Sequence, residues 1–236
     1  MSMLRLVSIL TVMLVAGFAG SAAAETIAMI GTGEVGAALG QRFAAAGHRV
    51  VYGSRDPARA DVQQLVTQTG PMASATTQRD AAQSADVIVL AVPWDVAEAL
   101  VGELGDLSGR IVVDPTNPRR IAEDGLRDYA FDGSNAERIQ ARVPAARVVK
   151  ALSTLGTLTM LDPASAGSIV SVPIAGDDAA AKRVVADLVA GIGLEPVDVG
   201  PLRYAHVIEG LHYLRYNAGQ FGEARINFHL PRDPHP

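Results

Sequence analysis

A short strand-forming run, Thr26-Ile-Ala-Met-Ile30, leads straight into Gly31-Thr-Gly33-Glu-Val-Gly36, and no other feature constrains the chain as much. In a Gly-x-Gly-x-x-Gly turn between strand and helix, the first glycine permits a tight turn. The second lets backbone approach a pyrophosphate, and the third lets the helix pack on the sheet. The unpaired N–H groups of a helix starting near Glu34 would face the pyrophosphate. Ala37, Ala38, Leu39, Phe43 and Ala44 then recur at helical spacing until Gly47, and His48 to Tyr52 reads as a second strand. The surroundings therefore predict a dinucleotide-binding βαβ unit.

The end of that second strand speaks to which dinucleotide. NAD sites commonly place Asp or Glu there to meet the ribose 2′-hydroxyl. Here the residues are Gly53-Ser54-Arg55. A carboxylate would repel a 2′-phosphate, whereas Ser54 and Arg55 can donate to it, so NADP is favoured over NAD. The alternative is an ordinary solvated turn before a helix capped by Asp56 and opened by Pro57. Arg59, one helical turn beyond Arg55, is either a second phosphate ligand or a solvated helix residue.

The first residues carry a different signal. Arg5 precedes the apolar stretch Leu6 to Ala19, and Ala22-Ala23-Ala24 before Glu25 has the form of a cleavage site. This reads as a signal peptide, residues 1–24, and as an exported, periplasmic or extracellular protein. The stretch is short of the roughly 20 residues of a membrane helix. A cytoplasmic protein with a mis-called start, or an uncleaved leader, is the other possibility. With 20 basic and 25 acidic residues in 236, net charge −5, no basic run invites nucleic acid or an anionic membrane. Losing Arg5 makes the balance still more acidic. The absence of cysteine excludes disulfides, iron–sulfur clusters and thiol catalysis.

Strands and helices alternate along the rest of the chain. Helix is predicted for 56–69, 94–104, 135–142, 178–192 and about 204–217, with a short one starting at Thr77. Strand is predicted for 72–75, 86–92, 110–114, 147–151, 171–175 and 195–199. The run Asp86 to Val92 lacks polar alternation after its first residue, as a strand covered on both faces does. The fold class that follows is α/β, a Rossmann-type doubly wound, mostly parallel sheet with a small helical C-terminal extension. A cofactor-binding part over 25–152 would precede a smaller α/β part over 153–236. Asp177 and Asp178 at a helix start read as caps rather than a metal site.

Ligands of such sheets lie outside the carboxyl ends of the strands. Ala91, Val92 and Pro93 should pass under the ribose and diphosphate. Trp94, the single tryptophan, either covers the cofactor or begins a packed helix. Asn117 either meets the nicotinamide carboxamide or forms an ordinary turn between prolines.

Six segments in succession carry a family resemblance. They are Gly31 to Gly36, Gly53-Ser-Arg-Asp-Pro57, Ala91-Val-Pro-Trp94, Val149-Lys-Ala-Leu-Ser-Thr154, Ala175-Gly-Asp-Asp178 and Val197-Asp-Val-Gly-Pro-Leu202. In this order the chain resembles the NADPH-dependent reductases of coenzyme F420. With Ser134-Asn-Ala-Glu137 it is also similar to the oxidoreductase domain of NADPH-dependent metalloreductases. The resemblance implies hydride exchange between NADP(H) and a deazaflavin (F420) or flavin (FMN or FAD). It places Thr32, Gly33, Glu34 and Val35 at the pyrophosphate, Ser54, Arg55 and Arg59 at the 2′-phosphate, and Ala151 at the nicotinamide. No catalytic side chain and no metal are required, because the cofactors carry the chemistry. His206 and His212 would lie beside the acceptor as proton donors or as structural residues, and a homodimer through the C-terminal helices is implied. Two other functions fit the same residues: a reductase of small imines or carbonyls, similar to pyrroline-carboxylate reductases, and an NADP-binding sensor without turnover.

Overall fold

The computed structural model describes residues 24–222 and 226–231, so all but the last residue of the leader expected over 1–24 lies outside the described residues. From Thr26 the chain runs β1 (Thr26–Ile30), α1 (Glu34–Ala45), β2 (Arg49–Ser54), α2 (Ala60–Thr69), β3 (Ala73–Thr77) and α3 (Gln78–Gln83). It continues through β4 (Val87–Val89), α4 (Trp94–Val101), β5 (Ile111–Asp114) and a small hairpin of β6 (Arg120–Ile121) and β7 (Arg127–Asp128). Then follow α5 (Asn135–Arg142), β8 (Arg147–Lys150), α6 (Thr157–Leu161), β9 (Ser171–Gly176), α7 (Ala179–Gly191), β10 (Glu195–Gly200) and α8 (Ala205–Ala218).

Eight strands form one sheet in the order β10-β9-β8-β5-β4-β1-β2-β3, and only the β8–β9 pair is antiparallel. Strand β1 lies between β2 and β4, so successive strands spread to opposite sides of it. A crevice opens at such a switch point. Both faces are covered, as the unbroken apolar strands require. Ile27 and Met29 point into one layer with Leu39, Phe43 and Val185, while Ala28 and Ile30 point into the other with Ala81, Leu104 and Ile139. Strand β9 and β10 continue the same sheet rather than starting another.

Several boundaries move for local reasons. Helix α2 starts at Ala60, not Asp56. The Asp56 carboxylate accepts from the N–H of Ala58 at 3.1 Å and stays in the preceding turn. The run after β4 leaves the sheet at Leu90, and the Ala91 carbonyl turns in toward Gly31. Ser134 and Glu137 close a capping box on α5. Asp178 caps α7 by accepting from Ala181 N–H at 2.7 Å, and Asp177 accepts from Leu202 N–H at 2.9 Å. The β6–β7 hairpin is not anticipated by any hydrophobic period, since its strands have two residues each. Among the described residues no helix is long and apolar enough to cross a membrane, and no group of three His, Cys, Asp or Glu side chains could hold a metal ion.

Candidate active site

The three glycines of the first turn differ in what surrounds them. Gly31 has φ +114° and its missing Cβ would lie 2.2 Å from the Ala91 carbonyl oxygen, so no other residue fits. At Gly36 a Cβ would meet the Gly31 carbonyl oxygen at 2.1 Å, which is the close packing of α1 on the turn. Gly33, the N-cap of α1, has nothing within 4 Å of its Cβ position. It faces open space, where the helix N–H groups lack intrahelical partners. The residues present thus leave a cradle for an anion at the end of α1, as a dinucleotide pyrophosphate requires.

Two clefts meet beside this turn. The first, of about 890 Å³, is lined by Gly31, Thr32, Gly33, Ser54, Arg55, Arg59 and Ala91 to Pro93, with Gln78, Val96 and Glu103 among its other walls. Gly53 also borders it, and a Cβ there would lie 2.9 Å from Ile30 Cδ1 and 3.0 Å from Gln78 Cα. Ser54 is buried and held in a local turn: its hydroxyl donates to the Asp56 carbonyl at 3.0 Å and accepts from the Asp56 N–H at 3.2 Å. Arg55 is exposed at the mouth. Arg59 pairs with Asp61 at 2.5 Å, half exposed, and its backbone caps α2.

The second cleft, of about 620 Å³, shares Gly33 and Ala91 to Pro93 with the first. Glu34, Val35, Trp94, Asn117, Arg119, Arg127 and His212 are among its other walls. Trp94 begins α4, tilted against Phe131 at 6.1 Å, and also lines this cleft. Asn117 Nδ2 donates to the Ser153 carbonyl at 2.8 Å, tying the ends of β5 and β8, and its Oδ1 is buried without a partner. The Arg127 guanidinium donates to His212 Nε2 at 2.8 Å, so the neutral ring carries its proton on Nδ1. Burial first, and then the charges of Arg127, Arg119 and Arg215, pull the His212 pKa down to about 4. This histidine is neutral at physiological pH. His206 lies elsewhere, its Nδ1 donating to the Gly133 carbonyl at 2.7 Å and its ring stacked on Tyr129.

Ala151 is fully buried in the core, and neither cleft touches its side chain. The neighbouring Leu152 has φ +65°, an unusual conformation for a buried leucine that bends the chain away from β8. Behind this bend the sequence reading missed a group of charges. Lys150, Asp114 and Glu209 are each fully buried, with Lys150 Nζ 3.0 Å from Asp114 Oδ2 and 2.7 Å from Glu209 Oε1. Lys150 also donates to the Thr116 carbonyl, and Asp114 Oδ1 accepts from Thr116 N–H and Oγ1 at 2.9 and 2.6 Å. Asn135 adds its backbone N–H to Glu209 at 3.1 Å and its amide to Thr116 Oγ1 at 2.7 Å. Burial pushes the Glu209 carboxyl up to about 7, although Lys150 pulls the other way. The network fixes the 114–117 turn that forms one wall of the second cleft.

Comparison with known proteins agrees with this geometry. Residues 26–118 match the family described as NADP oxidoreductase, coenzyme F420-dependent. The F420-dependent NADP reductase of Methanothermobacter thermautotrophicus is 31% identical over 207 residues, covering 81% of this chain and 88% of that protein. Metalloreductase STEAP3 of Rattus norvegicus is 30% identical over 188 residues, 80% of this chain, but the match spans only 36% of STEAP3. A crystal structure from Arthrobacter sp. FB24, provisionally named an F420-dependent NADP reductase, superposes with a TM-score of 0.79 at 33% identity. It covers 88% of this chain and 100% of its own. Imine reductases, under 20% identical, share the fold alone.

Proposed function

Since this chain belongs to the coenzyme F420-dependent NADP oxidoreductases, an NADP-dependent enzyme family, we propose that it passes a hydride between NADP(H) and a deazaflavin or flavin. The observation that carries the reading is the meeting of two clefts at Gly33 and Ala91 to Pro93, one running from the glycine turn to Ser54, Arg55 and Arg59 and a second running from the same turn to Asn117 and His212. Thr32, Gly33, Glu34 and Val35 would hold the pyrophosphate, Ser54, Arg55 and Arg59 the 2′-phosphate, and Asn117 the nicotinamide side. To meet a 2′-phosphate, Arg59 would exchange its exposed pairing with Asp61, a contact worth little in water. The nicotinamide supplies the hydride when bound. The chain supplies proximity, orientation and partial exclusion of water. His212 contributes no charge to the site, and its Nδ1–H is a donor without a protein partner.

The test is anaerobic oxidation of NADPH by the chain from Glu25, offering F420, FMN, FAD, riboflavin and ferric chelates in turn. Arg55→Ala should raise the KM for NADPH about tenfold, the loss of one charge-assisted contact, and barely alter that for NADH. Binding of NADPH without turnover on any acceptor would overturn the reductase in favour of a sensor. Turnover of a cyclic imine but no flavin would favour the imine reductase. Export remains part of the proposal, and N-terminal sequencing of the mature protein should then begin at Glu25.

A further inference from the structure

The second cleft holds two guanidiniums that meet no carboxylate. Arg119 leads into the β6–β7 hairpin, is exposed, and makes no hydrogen bond or ion pair among the described residues. Arg127 lies over the Tyr216 ring and donates to the neutral His212, while its Nε is buried without a partner. Arg127 is held in place through its backbone: its N–H and carbonyl both bond the Asn217 amide of α8 at 2.9 Å. The two carboxylates of the cleft, Glu34 and Asp95, stand at the first turns of α1 and α4 and pair with neither arginine. Burial first, and after it the charge of Arg119, holds the Arg127 pKa below its ordinary value, although Tyr216 pulls the other way. Like charges facing one cavity are relieved when an anion enters it.

We propose that Arg119 and Arg127 select an acceptor that carries a phosphate, a phosphorylated flavin or deazaflavin, over the same ring without one. This rests on the reading that the second cleft holds the acceptor. Pro93 and Trp94 give that cleft an apolar side for a flat ring, and Arg119, exposed, and Arg127, half-buried, line the same cleft. Guanidinium groups suit phosphate because their planar donors meet two oxygens at once.

FMN and riboflavin differ by that phosphate and serve as probes. Each is titrated into the full chain with saturating NADP+, at low salt, following quenching of Trp94 fluorescence and checking by equilibrium dialysis. FMN should bind about tenfold more tightly than riboflavin, the ratio expected of a charge-assisted contact, and the preference should shrink as salt rises. Arg119→Ala, an exposed change that leaves the fold intact, should abolish the preference without altering affinity for riboflavin or NADP+, and Arg119→Lys should keep part of it. Equal binding of both flavins by the unaltered chain refutes the selection and leaves the acceptor reading standing. Weakened NADP+ binding in Arg119→Ala would assign the arginine to the dinucleotide and overturn the proposal. Failure of both flavins to bind overturns the acceptor reading and the proposal with it.

Discussion

Gly53 occupies the position at which NAD enzymes carry an acid, and the space around it admits none. A Cβ would press on Gln78 Cα, a backbone atom that cannot swing aside, as well as on Ile30. The usual way of converting an NADP site to NAD is thereby closed. Gly53→Asp should not confer use of NADH. It should lower stability by about 1–3 kcal/mol through overpacking, seen as a drop of several degrees in a thermal melt. On the proposed reading, donor preference is then left to Arg55 and its neighbours in the following turn. An unchanged melting temperature with gain of NADH turnover would refute this account.

The elements β5, β8 and α8 meet at the Lys150 network, and removing its one cation leaves two buried carboxylates uncompensated. Lys150→Met should therefore cost about 3–5 kcal/mol in urea unfolding. Two groups on α8 give opposite pH dependence. Glu209 is raised from 4.5 to about 7, so between these values the folded chain binds more protons than the unfolded one. Its contribution to stability falls as pH rises through that window. His212 is lowered from 6.5 to about 4, so the unfolded chain binds more protons there, and its contribution is present above 6.5 and lost as pH falls toward 4. Between pH 4.5 and 6.5 the two slopes oppose. In thermal melts over this range, His212→Gln should show stability falling more steeply with rising pH than the unaltered chain, and Glu209→Gln should show the reverse. Part of this network was legible in the sequence. Asp114 and Lys150 each follow a Val-Val pair at the end of a strand and pair in register, and opposite charges at matching strand ends are a readable sign of a buried pair. Glu209 was not legible, because its partner is 59 residues away and only the docking of α8 brings them together. The first turn, Gly53 and the alternation of strands could be read because local backbone geometry and hydrophobic period dictate them. The β6–β7 hairpin and its arginines could not, because strands of two residues have no period.

At the scale of the whole molecule, the outer face of α8 is the place where the chain is least finished. Val207 and Leu214, two turns apart on α8, are 56% and 57% exposed, and Tyr204 just before the helix and Phe221 in the turn after it are exposed as well. Apolar side chains so exposed in a row mark a contact surface. A homodimer through this face is the arrangement proposed here. Light scattering should give twice the chain mass, and Leu214→Glu should give a monomer with an unchanged melt; a monomeric unaltered chain would reject the pairing. Such a dimer would lie behind the acceptor cleft, since the opposite side of α8 carries Glu209 and His212.

The two clefts hold in common only Gly33 and the Ala91 to Pro93 turn. On the proposed reading the 2′-phosphate is met by residues of 53–59, and the tail of the acceptor by Arg119 and Arg127 around the β6–β7 hairpin. A lineage built this way can explore new electron acceptors by altering one small hairpin while its inherited source of reducing equivalents stays untouched. Variation is confined to a part whose failure costs neither the sheet nor the dinucleotide turn.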